Sequence, residues 1–108
     1  CANGANASAS VAAAAGPGST GGVDAEFNQG VILWNAGKIG EAKGHFEKVI
    51  FMKPDHADAH YQLGMSLVSL AKFKDAASEL ETFIKLRPKD PRAAEAKSMV
   101  ADLRKMGG

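Results

Sequence analysis

The sequence of 108 residues has one cysteine, no long hydrophobic run and almost no net charge. The single cysteine, Cys1, excludes an internal disulfide bond. No stretch approaches the roughly 18 apolar residues that a membrane-spanning helix needs. The 13 basic residues are nearly balanced by 12 acidic ones. The chain therefore does not offer the basic surface that attracts nucleic acids or anionic membranes.

Catalytic and metal-binding motifs are also missing. There is no Cys-x-x-Cys-His haem site and no nucleophile with a paired base. The glycine-rich segment 16–22 superficially resembles a phosphate-binding loop, but it lacks the lysine and follows no strand. His56 and His60 are spaced like two helical metal ligands, yet two ligands alone bind weakly, and we interpret both as solvated; His45 has no evident partner. The sequence predicts no enzyme, no cofactor, no metal site and no catalytic residue.

Residues 1–22 differ in composition from the rest of the chain. They are almost entirely Ala, Gly, Ser and Asn, and every charged side chain lies between Asp24 and Lys105. Such a segment buries too little apolar surface to offset the entropy of ordering. We predict a disordered tether, with an r.m.s. span of roughly 25 Å by the scaling for Gly-rich linkers.

A repeat of 34 residues accounts for most of the remaining sequence. Acidic, small and apolar residues recur in register, and each unit closes with a proline. The recurring pairs are Asp24/Asp58, Phe27/Tyr61, Gly30/Gly64, Leu33/Leu67, Lys38/Lys72, Glu41/Asp75, Ala42/Ala76, Glu47/Glu81, Ile50/Ile84 and Pro54/Pro88.

The period and the fixed small residues resemble the tetratricopeptide repeat (TPR), a helix-turn-helix module that stacks into a solenoid. In that pattern, Gly30 with Ala42 and Gly64 with Ala76 let two helices approach closely. The resemblance implies an all-α fold, an α-solenoid of two TPR repeats at 23–56 and 57–90, followed by a capping helix and tail at 91–108. Gly44 departs from a good helix sequence, so the first repeat is expected to be the looser one.

Local signals place five helices in these units. Asp24, Asp55 and Asp90 are predicted N-caps, because a carboxylate accepts hydrogen bonds from the first-turn amides. Gly37 is predicted to end the first helix. The predicted helices cover about 25–36, 39–52, 57–70, 73–86 and 91–105.

The resemblance also implies a partner-binding groove, because the first helix of each TPR repeat lines the concave surface. The residues at those positions, called the groove residues below, are Phe27, Val31, Trp34, Asn35, Tyr61, Met65 and Val68. They are mostly apolar, so we expect an apolar helix or extended segment as partner instead of an acidic C-terminus. The alternative is that the fifth helix or the tail covers these side chains and makes them core.

Cys1 followed by an uncharged segment resembles the start of a mature bacterial lipoprotein. This resemblance implies lipid attachment at Cys1 and a place in the bacterial cell envelope, at the outer membrane or the periplasmic face. We therefore expect a non-catalytic scaffold, acting as an accessory or assembly subunit of a membrane-associated protein complex. One alternative is a pilotin-like assembly factor for a pilus or secretion secretin. Others are a small metal- or ligand-binding protein that uses the histidines, and self-association through exposed repeat ends.

Overall fold

The computed structural model describes residues 21–107, which form five helices. The helices are α1 (Gly21–Asn35), α2 (Ile39–Met52), α3 (Ala57–Ser69), α4 (Phe73–Leu86) and α5 (Pro91–Gly107). This part of the chain contains no strand. The prediction of two helix-turn-helix pairs followed by a fifth helix is confirmed. The predicted tether lies outside the described residues, apart from its last two positions.

Two of the three predicted N-caps were wrong. Helix α1 begins at Gly21, so Asp24 lies inside its first turn, where a negative charge favours the helix dipole. Helix α3 is capped by the imidazole of His56 instead of Asp55: the amide of Ala59 donates to His56 Nδ1 at 3.0 Å. The histidine occupies the repeat position at which α5 has an aspartate.

The third predicted N-cap, Asp90, is confirmed. The backbone N–H of Arg92 donates to its carboxylate at 2.8 Å. This bond satisfies one of the amides that the first turn of α5 leaves without a partner inside the helix.

The turns inside the two repeats share one backbone shape. Gly37 has a φ of 83° and its equivalent, Ala71, has a φ of 62°. Each turn closes with the same bond, from Lys38 N–H to the Leu33 carbonyl and from Lys72 N–H to the Leu67 carbonyl, both 2.8 Å. Because a left-handed conformation costs a residue with a side chain about 1 kcal/mol or more, Ala71 keeps this shape under strain that Gly37 avoids.

The core forms where paired helices approach closely. Ala42 and Ala76 are fully buried, beside the large buried side chains of Phe46 and Leu80. A methyl group added to Gly30 would lie 2.6 Å from Phe46 Cε1. The same addition at the equivalent glycine of the second repeat would lie 2.9 Å from Leu80 Cγ. The close approach that the repeat pattern implied is therefore present in both pairs.

The first repeat has an open outer side. Ala59 and Ser66 of α3 are fully buried, whereas their repeat equivalents in α1, Ala25 and Ile32, are exposed. Helix α2 precedes and packs against α3, but no helix precedes α1 within residues 21–107. Ile32 consequently remains 58% exposed.

The last helix ends the stack with a polar surface. Helix α5 buries Ala93, Ala96, Val100 and Leu103 and packs against α4. At the positions where α3 has Leu63 and Gly64, it carries Lys97 and Ser98, both exposed. The prediction of a solvating terminal helix is confirmed.

Within residues 21–107, no helix is both long enough and apolar enough to cross a membrane.

We expect Gly30→Ala to destabilise the fold, because its methyl group would overlap the buried ring of Phe46. Overpacking of this kind costs roughly 1–3 kcal/mol, and chemical denaturation followed by circular dichroism would measure the loss. Gly40→Ala is the matched control, since a methyl group there meets nothing within 4 Å. If both variants were as stable as the parent chain, the close approach of α1 and α2 would be contradicted.

Candidate partner-binding groove

The groove residues lie on two neighbouring helices that pack against each other, α1 and α3. All of them are half-buried except Asn35, which is exposed. Five apolar members contact the buried core through part of their surface: Phe27, Val31, Trp34, Tyr61 and Val68. Each of these side chains thus packs against the core on one side and is accessible on the other, as is common for aromatic residues at protein interfaces.

Phe27 contributes to the core as well as to the groove. Its ring centroid lies 5.6 Å from that of Phe46 and 5.0 Å from that of His56. The same His56 caps α3, so Phe27 connects the start of the second repeat to the core of the first. Phe27 is therefore a structural side chain whose removal would disturb the fold.

Tyr61, the equivalent of Phe27, is held by different neighbours. Its ring lies 5.0 Å from the buried ring of Phe83. The guanidinium carbon of Arg92 stands 5.0 Å from the centroids of both rings. A cation over two aromatic faces is favoured by their quadrupoles, so Tyr61 is fixed between α4 and the start of α5.

Arg92 is the residue of this region that sequence reasoning missed. It donates to Asp58 at 2.7 Å and to both oxygens of Asp90 at 3.0 Å. Arg92 occupies the repeat position of Asp24 and Asp58, 34 residues after the latter. The two preceding residues at this repeat position are acidic and Arg92 is basic, and this reversal of charge is the sequence signal that would have identified it.

The hydrogen bonds from Arg92 change the acidity of Asp90. The side-chain bonds first, and the backbone bond second, lower the pKa of this carboxyl from 3.8 to about 2. The carboxylate is thus stabilised in its charged form, where it both caps α5 and holds Arg92 over Tyr61.

Met65 is the apolar groove residue best separated from the core. It is half-buried, but it does not belong to the apolar side chains packed against the core cluster. Its neighbours along the same stripe of α3, Tyr61 and Val68, do belong to that set. A substitution at Met65 can therefore change the groove with little effect on the core.

Helix α5 does not cover the α1 side of the groove. Its helix-to-helix packing is with α4, while α1 packs with α2 and α3. The alternative that the fifth helix covers the groove residues is therefore wrong for those on α1. The other alternative, cover by the tail, concerns residues outside the described part of the chain.

The interpretation of His60 as solvated was wrong. It is 7% exposed, and its ring nitrogens contact Glu79 Oε1 and the Pro54 carbonyl, both at 2.7 Å. Through these contacts, His60 links the segment between the two repeats, at Pro54, to Glu79 on α4.

His45 also has a partner that the sequence did not reveal. Its Nδ1 lies 2.6 Å from Glu26 Oε1. Within residues 21–107, no group of three or more His, Cys, Asp and Glu side chains is arranged to hold a metal ion. All three histidines have contacts within the fold.

Comparisons with known proteins agree with this architecture. A family model described as tetratricopeptide repeat matches residues 33–100, from within α1 to within α5. The peroxisomal targeting signal receptor of Saccharomyces cerevisiae is 36% identical over 63 residues. This alignment covers 58% of the present chain but 10% of the yeast protein, so the chain spans a small part of that relative.

We expect the contribution of the Asp90 carboxylate to stability to disappear in acid. Its pKa is lowered on folding, so the contribution is present above about pH 4 and is lost as the pH falls from about 4 to about 2. The free energy of unfolding of the parent chain and of Asp90→Asn, which keeps a capping side chain, should therefore converge over this range. Asp102→Asn, at an exposed site of the same helix, is the control. A difference between the parent chain and Asp90→Asn that stays constant from pH 6 to pH 2 would contradict the assignment.

Proposed function

Because this chain belongs to the tetratricopeptide repeat family, whose repeats are protein–protein interaction scaffolds, we propose that it is a non-catalytic subunit that holds a protein partner between α1 and α3. The observation that supports this proposal most is the paired arrangement of half-buried apolar side chains on the two helices. Val31 and Trp34 lie on α1, and Tyr61, Met65 and Val68 lie on α3, which packs against α1. Aromatic and methionine side chains of this kind anchor protein interfaces.

The charges near the groove favour an apolar partner over an acidic one. Arg92 borders the groove at Tyr61, but its guanidinium already binds Asp58 and Asp90. A carboxylate from a partner would have to displace these two side chains. An amphipathic helix or an extended apolar segment, in contrast, buries its side chains against the exposed edges of the groove residues.

The yeast relative gives limited support to a peptide-like partner. Its name describes a receptor for a targeting signal. The alignment covers too small a part of the receptor to transfer its ligand. We therefore take from it the class of partner only, a segment of another protein.

We further propose that Cys1 carries lipid and that residues 1–22 tether the repeats to a membrane of the bacterial cell envelope. This proposal depends on the sequence, since residues 1–20 lie outside the described part of the chain. A tether keeps the groove near a membrane-associated complex and raises its effective concentration, to the millimolar range for short flexible linkers. The protein would then act as an accessory or assembly subunit of that complex.

We expect Met65→Glu to reduce retention of the partner by tenfold or more, because a buried charge opposes an apolar contact by more than about 1.4 kcal/mol. The chain would be extracted from native membranes in mild detergent, and co-purifying proteins would be quantified by mass spectrometry. Met106→Glu is the matched control, since Met106 is 58% exposed at the end of α5 and outside the groove. Helical content should remain unchanged in both variants. Equal retention by the two variants would contradict a partner in this groove.

We expect intact-mass analysis of the membrane-extracted protein to find acyl chains on Cys1. Cys1→Ser should move the protein to the soluble fraction, because the described helices provide no membrane span. The repeats should remain folded in this variant, as judged by circular dichroism. An unmodified Cys1 in membrane-bound protein would contradict lipid attachment and leave the groove proposal to its own test.

A further inference from the structure

The outer face of α2 differs from the same face of α4 in a specific way. Gly44 stands where α4 has Ser78, and Phe51 stands where α4 has Lys85. The ring of Phe51 is 89% exposed, the most exposed of the large apolar side chains in residues 21–107. Ser78 and Lys85 are polar residues, the type usually found on an exposed helix face, whereas Phe51 exposes an apolar ring and Gly44 has no side chain.

Gly44 has no explanation within the described chain. It lies in the middle of a helix, where glycine costs roughly 1 kcal/mol relative to alanine. A methyl group added there would meet nothing within 4 Å. A shallow pocket of about 390 Å³ lies at this position, lined by Glu26, Gly44, Glu47, Lys48, Phe51 and Met52.

The pocket and the exposed ring are arranged symmetrically along α2. Gly44 and Phe51 are centred on the point between Glu47 and Lys48, the two charged residues of the same face. In an antiparallel pair of α2 helices with a two-fold axis at this point, Phe51 of each copy would face Gly44 of the other. Glu47 would face Lys48 of the other copy by the same symmetry.

We propose that a second copy of this chain binds here, forming a two-fold symmetric dimer through α2. Each Phe51 ring enters the pocket over Gly44 of the other copy, and two Glu47–Lys48 ion pairs border the contact. Such an interface is isologous, because the same surface is its own complement. The contact also covers the 89% exposed ring that the single chain leaves in water.

The existing contacts of Glu47 are compatible with this arrangement. Its Oε2 forms a salt bridge with Lys43 Nζ at 3.0 Å, and half of the Glu47 side chain remains exposed. Lys48 is exposed as well. None of the pocket-lining residues is a groove residue, so the dimer would present two open partner-binding grooves.

The first test is sedimentation equilibrium of the purified full chain over about 10 µM to about 1 mM, a range that covers weak association. We expect the mass to rise from one chain towards two. Phe51→Lys, which introduces the α4 residue, should weaken association by tenfold or more, because the dimer would lose two buried aromatic rings. Ile32→Lys is the control at the open side of α1 and should leave association unchanged. A parent chain that stays monomeric, or dissociation by Ile32→Lys instead of Phe51→Lys, would overturn the proposal.

The second test is a charge exchange that only a self-complementary contact can satisfy. Glu47→Lys and Lys48→Glu should each weaken association, because each places like charges opposite one another. The double variant should restore it, since the ion pairs form again with reversed sign. Failure of the double variant to recover would exclude this register. Both tests use the purified chain alone, so their outcome is independent of the partner proposed for the groove.

Discussion

The fold depends on the close contact between the two helices of each repeat. At Gly30 the backbone of α1 approaches the ring of Phe46 so closely that a single methyl group would overlap it, and Gly64 repeats the arrangement against Leu80. This short distance brings the apolar side chains that flank each glycine into contact with the second helix of the repeat. Phe27 on α1 and Tyr61 on α3 keep one side of the ring against the paired helix, and their partly exposed surface belongs to the candidate groove.

The sequence predicted the helices well because their main determinants recur. Small residues, apolar positions and prolines repeat every 34 residues, and α2 and α4 begin and end where this pattern placed them. The predictions at helix starts were less successful, since several residue types can provide a cap. His56 took this position at α3 because its imidazole reaches the Ala59 amide, a contact that depends on side-chain conformation.

The polar contacts between helices were harder to predict than the core. In the first repeat Glu26 on α1 meets His45 on α2, and in the second His60 on α3 meets Glu79 on α4. The two pairs have the same separation of 19 residues and the same place in the repeat, but the acid and the histidine are exchanged. A repeat pattern that assigns one residue type to each position does not detect such an exchange. Comparing pairs of repeat positions does detect it. Arg92 is found in a different way, because it occupies the same repeat position as Asp58 with the opposite charge.

The differences between the repeats indicate where the chain departs from the needs of folding. The second repeat has Lys85 and Ser78 on the outer face of its second helix, residues that cost little in water. The first repeat has Phe51 and Gly44 at these positions, which expose an apolar ring and weaken the helix. Two repeats form a small core with little stability to lose. Because any partner that binds only the folded chain adds its binding free energy to that stability, a surface that is unfavourable in the isolated chain becomes favourable in a complex.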